Sequence, residues 1–273
     1  MQTFHPHIFR IATAALCVCL GTAAVAEVAV PAMPALELAA RLSASRQDGT
    51  AFVRLRMEIN AAGGAKGTLQ LQLKERRTKS GSDLVYQVLW PKERKGEAVL
   101  LRKTAGRAPG GALFTPPDRL RALDASQMKE PLFGSDLSYE DVIDDFFAWE
   151  KQTAVGSEVV NRVNCQILES KPGKDERSSY ALVRSWVDTR RMLPLRVEKY
   201  FASGNLARRI ETTRVATDDR HRHVPASLTV RGAREDSVSQ LEGSSIRHDV
   251  SLTDRDFAPE GLKDLTPPRS SPE

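Results

Sequence analysis

His221 and His223 form a His-x-His pair just beyond Asp218-Asp219. Two imidazoles at this spacing, with Asp218 or Asp219 as a third donor, supply the ligand types of a zinc site. Arg220 and Arg222 interleave with them and repel a cation, and no further His or Cys accompanies the pair, so the segment reads as a solvated turn and no metal is expected. His248 falls on the face shared by Ile246, Val250 and Leu252. A single histidine on an apolar face reads as a hydrogen-bonded core residue rather than a base. Cys165, between Val163 and Ile167, reads as a small hydrophobe. The chain carries no Gly-x-Ser-x-Gly elbow, zinc-protease His pair, phosphate loop or dinucleotide fingerprint. It does not read as an enzyme, and no cofactor is expected. A hydrolase using His248 or the His221/His223 loop is the alternative from that class. The basic segments Lys74-Glu75-Arg76-Arg77 and Lys92-Glu93-Arg94-Lys95 stand at strand ends. They read as solvated loops and protected sheet edges, with contact to anionic lipid headgroups as the alternative.

The N-terminus sets the compartment. Arg10 precedes an apolar run from Ile11 to about Leu20, and Ala24-Val25-Ala26 places small residues where a signal peptidase cuts. The run is shorter than the roughly 18 residues of a membrane span. Bulky Leu16 and Val18 before Cys17 and Cys19 argue against lipidation. Residues 1–26 are therefore expected to be a signal peptide cleaved near Ala26, leaving about 247 residues (273 minus 26) in the periplasm. Only Cys165 survives cleavage, so no internal disulfide forms. Loss of Arg10 lowers the formal charge from +5 to about +4, spread along the chain, which with few aromatics argues against nucleic acid.

Apolar and polar residues alternate through most of the chain beyond residue 50. Val53, Leu55, Met57 and Ile59 point one way and Arg54, Arg56 and Glu58 the other; Leu69, Leu71 and Leu73 repeat the pattern. Further strands are expected near 84–90, 97–103, 119–123, 158–169, 179–188, 195–201, 206–214, 226–231 and 246–252. In series and without helical crossovers, they indicate one antiparallel sheet. Two helices are expected. One starts at Pro34 and runs to about Arg46. In the other, Ser138 and Asp141 form a capping box ahead of an apolar stripe of Tyr139, Val142, Ile143, Phe146 and Phe147, with Glu140, Asp141, Asp144 and Asp145 on the opposite side. The Pro- and Ser-rich stretch 266–273 reads as a disordered tail. A one-sided apolar sheet must be covered. Helices either fill its concavity as a core or cover it partly and leave an apolar cavity.

The segment Phe133-Gly134-Ser135-Asp136-Leu137-Ser138-Tyr139-Glu140-Asp141 resembles the F-G-S-D-F-S-Y-E-D signature of the outer-membrane lipoprotein-sorting protein family, which has the fold of the periplasmic lipoprotein carrier LolA. Trp90-Pro91 with Lys95-Gly96 and Val99-Leu100-Leu101 is similar to another of its stretches. So are Trp186-Val187-Asp188 with Pro194–Glu198, and Val224-Pro225 with Phe257. Leu137 stands where an aromatic is usual, and Gly232–Ser245 is more polar than the family's last hairpin.

The resemblance implies a mainly β fold over 27–265, an incomplete antiparallel β-barrel of about 10–11 strands with helices covering its concave face. It implies a periplasmic carrier or chaperone that holds the acyl chains of a lipoprotein or other lipid for transfer towards the outer membrane. The alternative is a lipid-sensing or accessory domain partnering an inner-membrane protein, such as a lipid exporter of the resistance–nodulation–division type. Expected cavity residues are Val53, Leu55, Met57, Leu69, Leu71, Leu73, Tyr86, Val88 and Trp90, with Phe146 from the lid helix. Phe133, Gly134, Ser135, Asp136, Ser138, Tyr139 and Asp141 are expected to be structural, holding that helix to the sheet.

Overall fold

The computed structural model describes residues 32–270 apart from 48, 175 and 233–235, and Met33 onward forms one compact unit. The expected signal peptide lies outside the described residues. Among the described residues no helix is long and apolar enough to cross a membrane.

The chain opens with helix α1 (Ala35–Arg46), whose one-turn spacing buries Leu38 and Leu42. Six strands follow as a meander: β1 (Gly49–Asn60), β2 (Lys66–Thr78), β3 (Gly81–Trp90), β4 (Ala98–Thr104), β5 (Gly110–Thr115) and β6 (Arg119–Leu123). Residues 124–150 then carry helix α2 (Tyr139–Ile143) and short 3-10 turns at Leu132–Gly134 and Phe146–Ala148. A second meander returns: β7 (Lys151–Val160), β8 (Val163–Lys171), β9 (Leu182–Asp188), β10 (Leu193–Tyr200), β11 (Leu206–Thr217), β12 (His223–Arg231) and β13 (Val238–His248). β13 pairs with β1 and joins the two runs into one 13-stranded antiparallel sheet, with β6 and β7 at its edges. The sheet is not closed into a barrel.

The alternation read in β1–β3 is the sheet's register. Val53, Leu55 and Met57 stand opposite Leu73, Leu71 and Leu69, and Leu71 and Leu73 stand opposite Val88 and Tyr86. This apolar face is covered by Leu132, Leu137, Tyr139 and Ile143 from the 124–150 segment. Further along the sheet, α1 and the Phe146–Trp149 turn pack on Leu168, Val183, Val187 and Val197.

A third cluster joins Val85, Ala98, Leu100, Ala112 and Phe114 to Phe257 and Leu262 of the C-terminal segment. Polar bonds fasten that segment. Buried Lys74 donates from Nζ to Asp256 Oδ1 at 3.1 Å and to the Asp264 carbonyl at 3.3 Å, while Gln87 donates to the Leu262 and Asp264 carbonyls, both at 3.0 Å. Asp256→Ala strands the Lys74 ammonium in the interior, whereas Lys74→Met replaces it with an apolar chain of similar length. In urea unfolding, Asp256→Ala should cost about 3 kcal/mol and Lys74→Met about 1 kcal/mol. Equal losses would show that the ammonium is not held by this carboxylate.

Several elements differ from the sequence expectation. The sheet has thirteen strands rather than ten or eleven. The stretch 158–169 is not one strand but the β7–β8 hairpin, turned by Asn161 and Arg162 at φ 50° and 65°. β5 carries no alternation because it begins Gly110-Gly111. A Cβ on Gly111 would sit 1.8 Å from the Leu100 carbonyl oxygen, so the close approach of β4 demands glycine there. β13 starts at Val238, inside the segment read as polar. Helix α2 ends at Ile143, short of Phe146. The stretch read as a disordered tail is placed as far as Ser270, where the chain bridges to Val250.

Candidate functional site

The signature segment is built around a buried charge cluster. Ser138 caps α2 by accepting from the Asp141 N–H, and the Asp141 carboxylate accepts in return from the Ser138 N–H at 2.8 Å. The same carboxylate receives Lys199 Nζ at 2.8 Å, Arg208 Nε at 3.0 Å and the Tyr180 hydroxyl at 2.8 Å. Burial alone would push the Asp141 carboxyl up, but Lys199 and Arg208 outweigh it and hold it at about 2. The Lys199 ammonium lies over the Tyr180 and Phe146 rings at 4.9 and 5.4 Å. Asp136 accepts from the Ser237 and Ser239 hydroxyls, at 2.6 and 2.7 Å, and so ties the segment to β13. Glu140 accepts from the Ser178 hydroxyl and the Ser179 N–H, fixing the segment to the β8–β9 connection as well. Gly134 takes φ 88° and Phe133 φ 52°, which turns the chain into the capped helix.

Asp144 follows the helix. Its Oδ1 accepts from Lys103 at 2.7 Å, while burial pushes its carboxyl up to about 6 against the pull of that ammonium. A carboxyl raised by folding binds more protons when folded, so stability falls as pH rises from about 4 to about 6. Asp144→Asn should remove this decline. The difference between variant and wild type in urea unfolding should grow across that window and level off above it; a constant difference would reject the assignment.

Beside this cluster the sheet's apolar face is left uncovered. A cavity of about 890 Å³ lies over β1 and β10–β13, walled by Ala51, Val53, Val197, Ile210, Leu228 and Ile246 and bordered by Leu42, Phe146 and Phe147. Its volume is within the roughly 300–1,000 Å³ range of ligand pockets. One rim is formed by the sheet end where β9 turns into β10 (Arg191, Met192) and β11 into β12 (Asp218, Asp219, Arg222, His223).

Of the residues expected to line a cavity, Val53 and Phe146 stand on this one. Leu55, Met57, Leu69, Leu71, Leu73, Tyr86 and Val88 belong to the packed cluster under the signature segment. Trp90 ends β3 about half exposed, at 49%. Ile210, Leu228 and Ile246 were not singled out from sequence. Their signal was available, since Ile210, Thr212 and Arg214 alternate with Glu211 and Thr213 in β11.

The histidines divide. The His248 side chain is only 5% exposed and is bonded through Nδ1 to Asp219, with Nε2 3.0 Å from Arg222. Asp218, Asp219 and His248 come close enough to share a cation. Arg222 already bonds Asp218 Oδ2 at 2.8 Å, so a guanidinium occupies the position a metal would take. His221 sits in the β11–β12 turn at φ 59°, and exposed His223 opens β12. Neither joins that group. Buried Cys165 packs with Trp186 and Leu195, and burial pushes its thiol up to about 11, an inert state.

Residues 81–264 match a family model described as uncharacterized-protein-like. A search of curated proteins finds no match. Three crystal structures share the fold. A DUF1329-family protein from Desulfovibrio piger has a TM-score of 0.77 at 23% identity, over 84% of this chain and 97% of that one. An outer membrane lipoprotein-sorting protein domain from Vibrio parahaemolyticus gives 0.75 at 21%, over 84% and 98%. A LolA-superfamily protein from Nitrosomonas europaea gives 0.67 at 18%, over 84% and 100%. At these identities the likeness shows a common fold.

Proposed function

We infer a function from two premises: the chain belongs to the family matched over residues 81–264, and its sheet has the fold of the lipoprotein-sorting and LolA-superfamily structures. On this reading it is a periplasmic carrier that shields the acyl chains of a lipoprotein or other lipid on their way towards the outer membrane. Residues 1–26 direct export and are removed near Ala26. The protein performs no bond-making chemistry. The 124–150 segment and α1 cover the concave face in part and leave the rest to cargo.

The observation that carries the reading is the apolar cavity of about 890 Å³. Its cover is fastened by an ion cluster rather than by apolar contacts alone, so the face beneath can stay open without loss of the fold. Burying an acyl chain gains about 0.8 kcal/mol per methylene, and a dozen methylenes supply on the order of 10 kcal/mol with no polar anchor.

The mature protein should take up a fluorescent long-chain fatty acid saturably, at one or two equivalents, with blue-shifted emission. Unsaturable binding that a detergent-free control surface reproduces would reject the carrier reading.

A further inference from the structure

We propose that the ligand of this cavity is anionic at its head, and that Arg214 receives the negative group at the rim, assisted by Arg191. The proposal rests on the carrier reading and adds the class of headgroup.

The lining carries six cationic side chains, Arg46, Arg77, Arg191, Lys199, Arg214 and Arg222, against four carboxylates. Each carboxylate already has a partner of its own within the protein. Glu75 pairs with Arg77 at 3.1 Å, Asp141 with Lys199 and Arg208, Asp218 with Arg222, and Asp219 with His248. The acids at the rim are therefore engaged within the protein.

Arg77, Lys199 and Arg222 are matched in these pairs and Arg46 faces Asp145 at 3.8 Å, which leaves Arg191 and Arg214 without a close carboxylate among the described residues. Among the described residues the Arg191 guanidinium pairs with Asp188 alone, at a long 3.6 Å, and its side chain is 45% exposed. Arg214 uses Nε on the Ser227 hydroxyl at 3.2 Å, and among the described residues no carboxylate pairs with it. Its two terminal nitrogens keep the fork that binds a carboxylate or phosphate through two parallel hydrogen bonds. The strand places this fork: Arg214 follows Ile210 and Thr212 at every second position of β11, and all three stand on the cavity lining. β11 shifts register against β12 on both sides of Arg214, between Thr212 and Arg214 and again before Val215. An amphiphile laid along β11 would put its tail on Ile210 and Leu228 and its head against Arg214.

The test uses a dansyl-labelled undecanoic acid and its methyl ester, titrated into the mature protein at neutral pH and low salt. The acid should bind about tenfold tighter than the ester, and added salt should narrow the gap. Arg214→Gln should weaken the acid severalfold and leave the ester unchanged, and Arg191→Gln should act the same way by less. Arg119→Gln, on edge strand β6 away from the cavity, should change neither. Equal affinity for acid and ester, or a preference untouched by Arg214→Gln, would overturn the headgroup proposal while leaving the carrier intact. Binding of neither probe would overturn both.

Discussion

Asp141→Ala should lower the unfolding free energy by about 3–5 kcal/mol, read from urea denaturation at neutral pH. The loss is large because Lys199, with its side chain 1% exposed, would remain as a buried ammonium without a counterion, and Arg208 and Tyr180 would lose an acceptor. The capping box of α2 would go with it. Lys199→Met placed on top of Asp141→Ala should recover part of the loss, because a stranded charge costs more than an absent pair. If Asp141→Ala alone cost under about 1 kcal/mol, the cluster would not be what fastens the signature segment.

The same carboxyl also sets the acid limb. Folding lowers it from an ordinary value near 4 to about 2. Its contribution, about 2 kcal/mol, is present in full above pH 4 and is lost as pH falls through 2. Asp144 acts in the opposite sense between about 4 and 6, so these two groups together place their optimum near pH 4.

Leu228→Trp should abolish most acyl binding without unfolding the protein. Leu228 is half-buried on β12 and faces the cavity with Ile246 and Ile210. An indole there occupies the space a chain would enter, and the added volume goes into a void rather than into packed neighbours. Stability should therefore change by less than the roughly 1–3 kcal/mol typical of overpacking. Affinity for the fluorescent fatty acid should fall at least about tenfold, which matches the loss of two or so buried methylenes. Unchanged affinity would place the bound chain elsewhere.

The sequence told more about the sheet than about the site. Alternation in β1–β3 showed which side chains share a face, because a period of two survives any tertiary context. The β7–β8 hairpin was hidden because Val159, Val163 and Cys165 continue an alternating look across Asn161-Arg162, where neither Gly nor Pro marks the turn. The acidic residues of the α2 region read as a wet face. Glu140, Asp141 and Asp144 are buried instead, because Ser178, Lys199 and Lys103 reach them from distant strands and loops. The same long-range packing decides where the cavity lies. β1–β3 carry the strongest apolar pattern and attract the cover, so most of the residues singled out there became core. Val53 and Trp90 are the exceptions, Val53 at the border where the cover stops and Trp90 half exposed at the end of β3. The weaker faces of β11–β13 stay open, and no local pattern in a strand reports what fails to cover it.

The most direct measurement is native mass spectrometry of the mature protein purified gently from the periplasm, with lipid extraction of the same sample. The carrier account predicts a stoichiometric adduct, recovered as an anionic lipid or acylated peptide and lost in Leu228→Trp. A clean apo mass, with no uptake of the fluorescent fatty acid by that same sample, would contradict it and leave the cavity without a cargo.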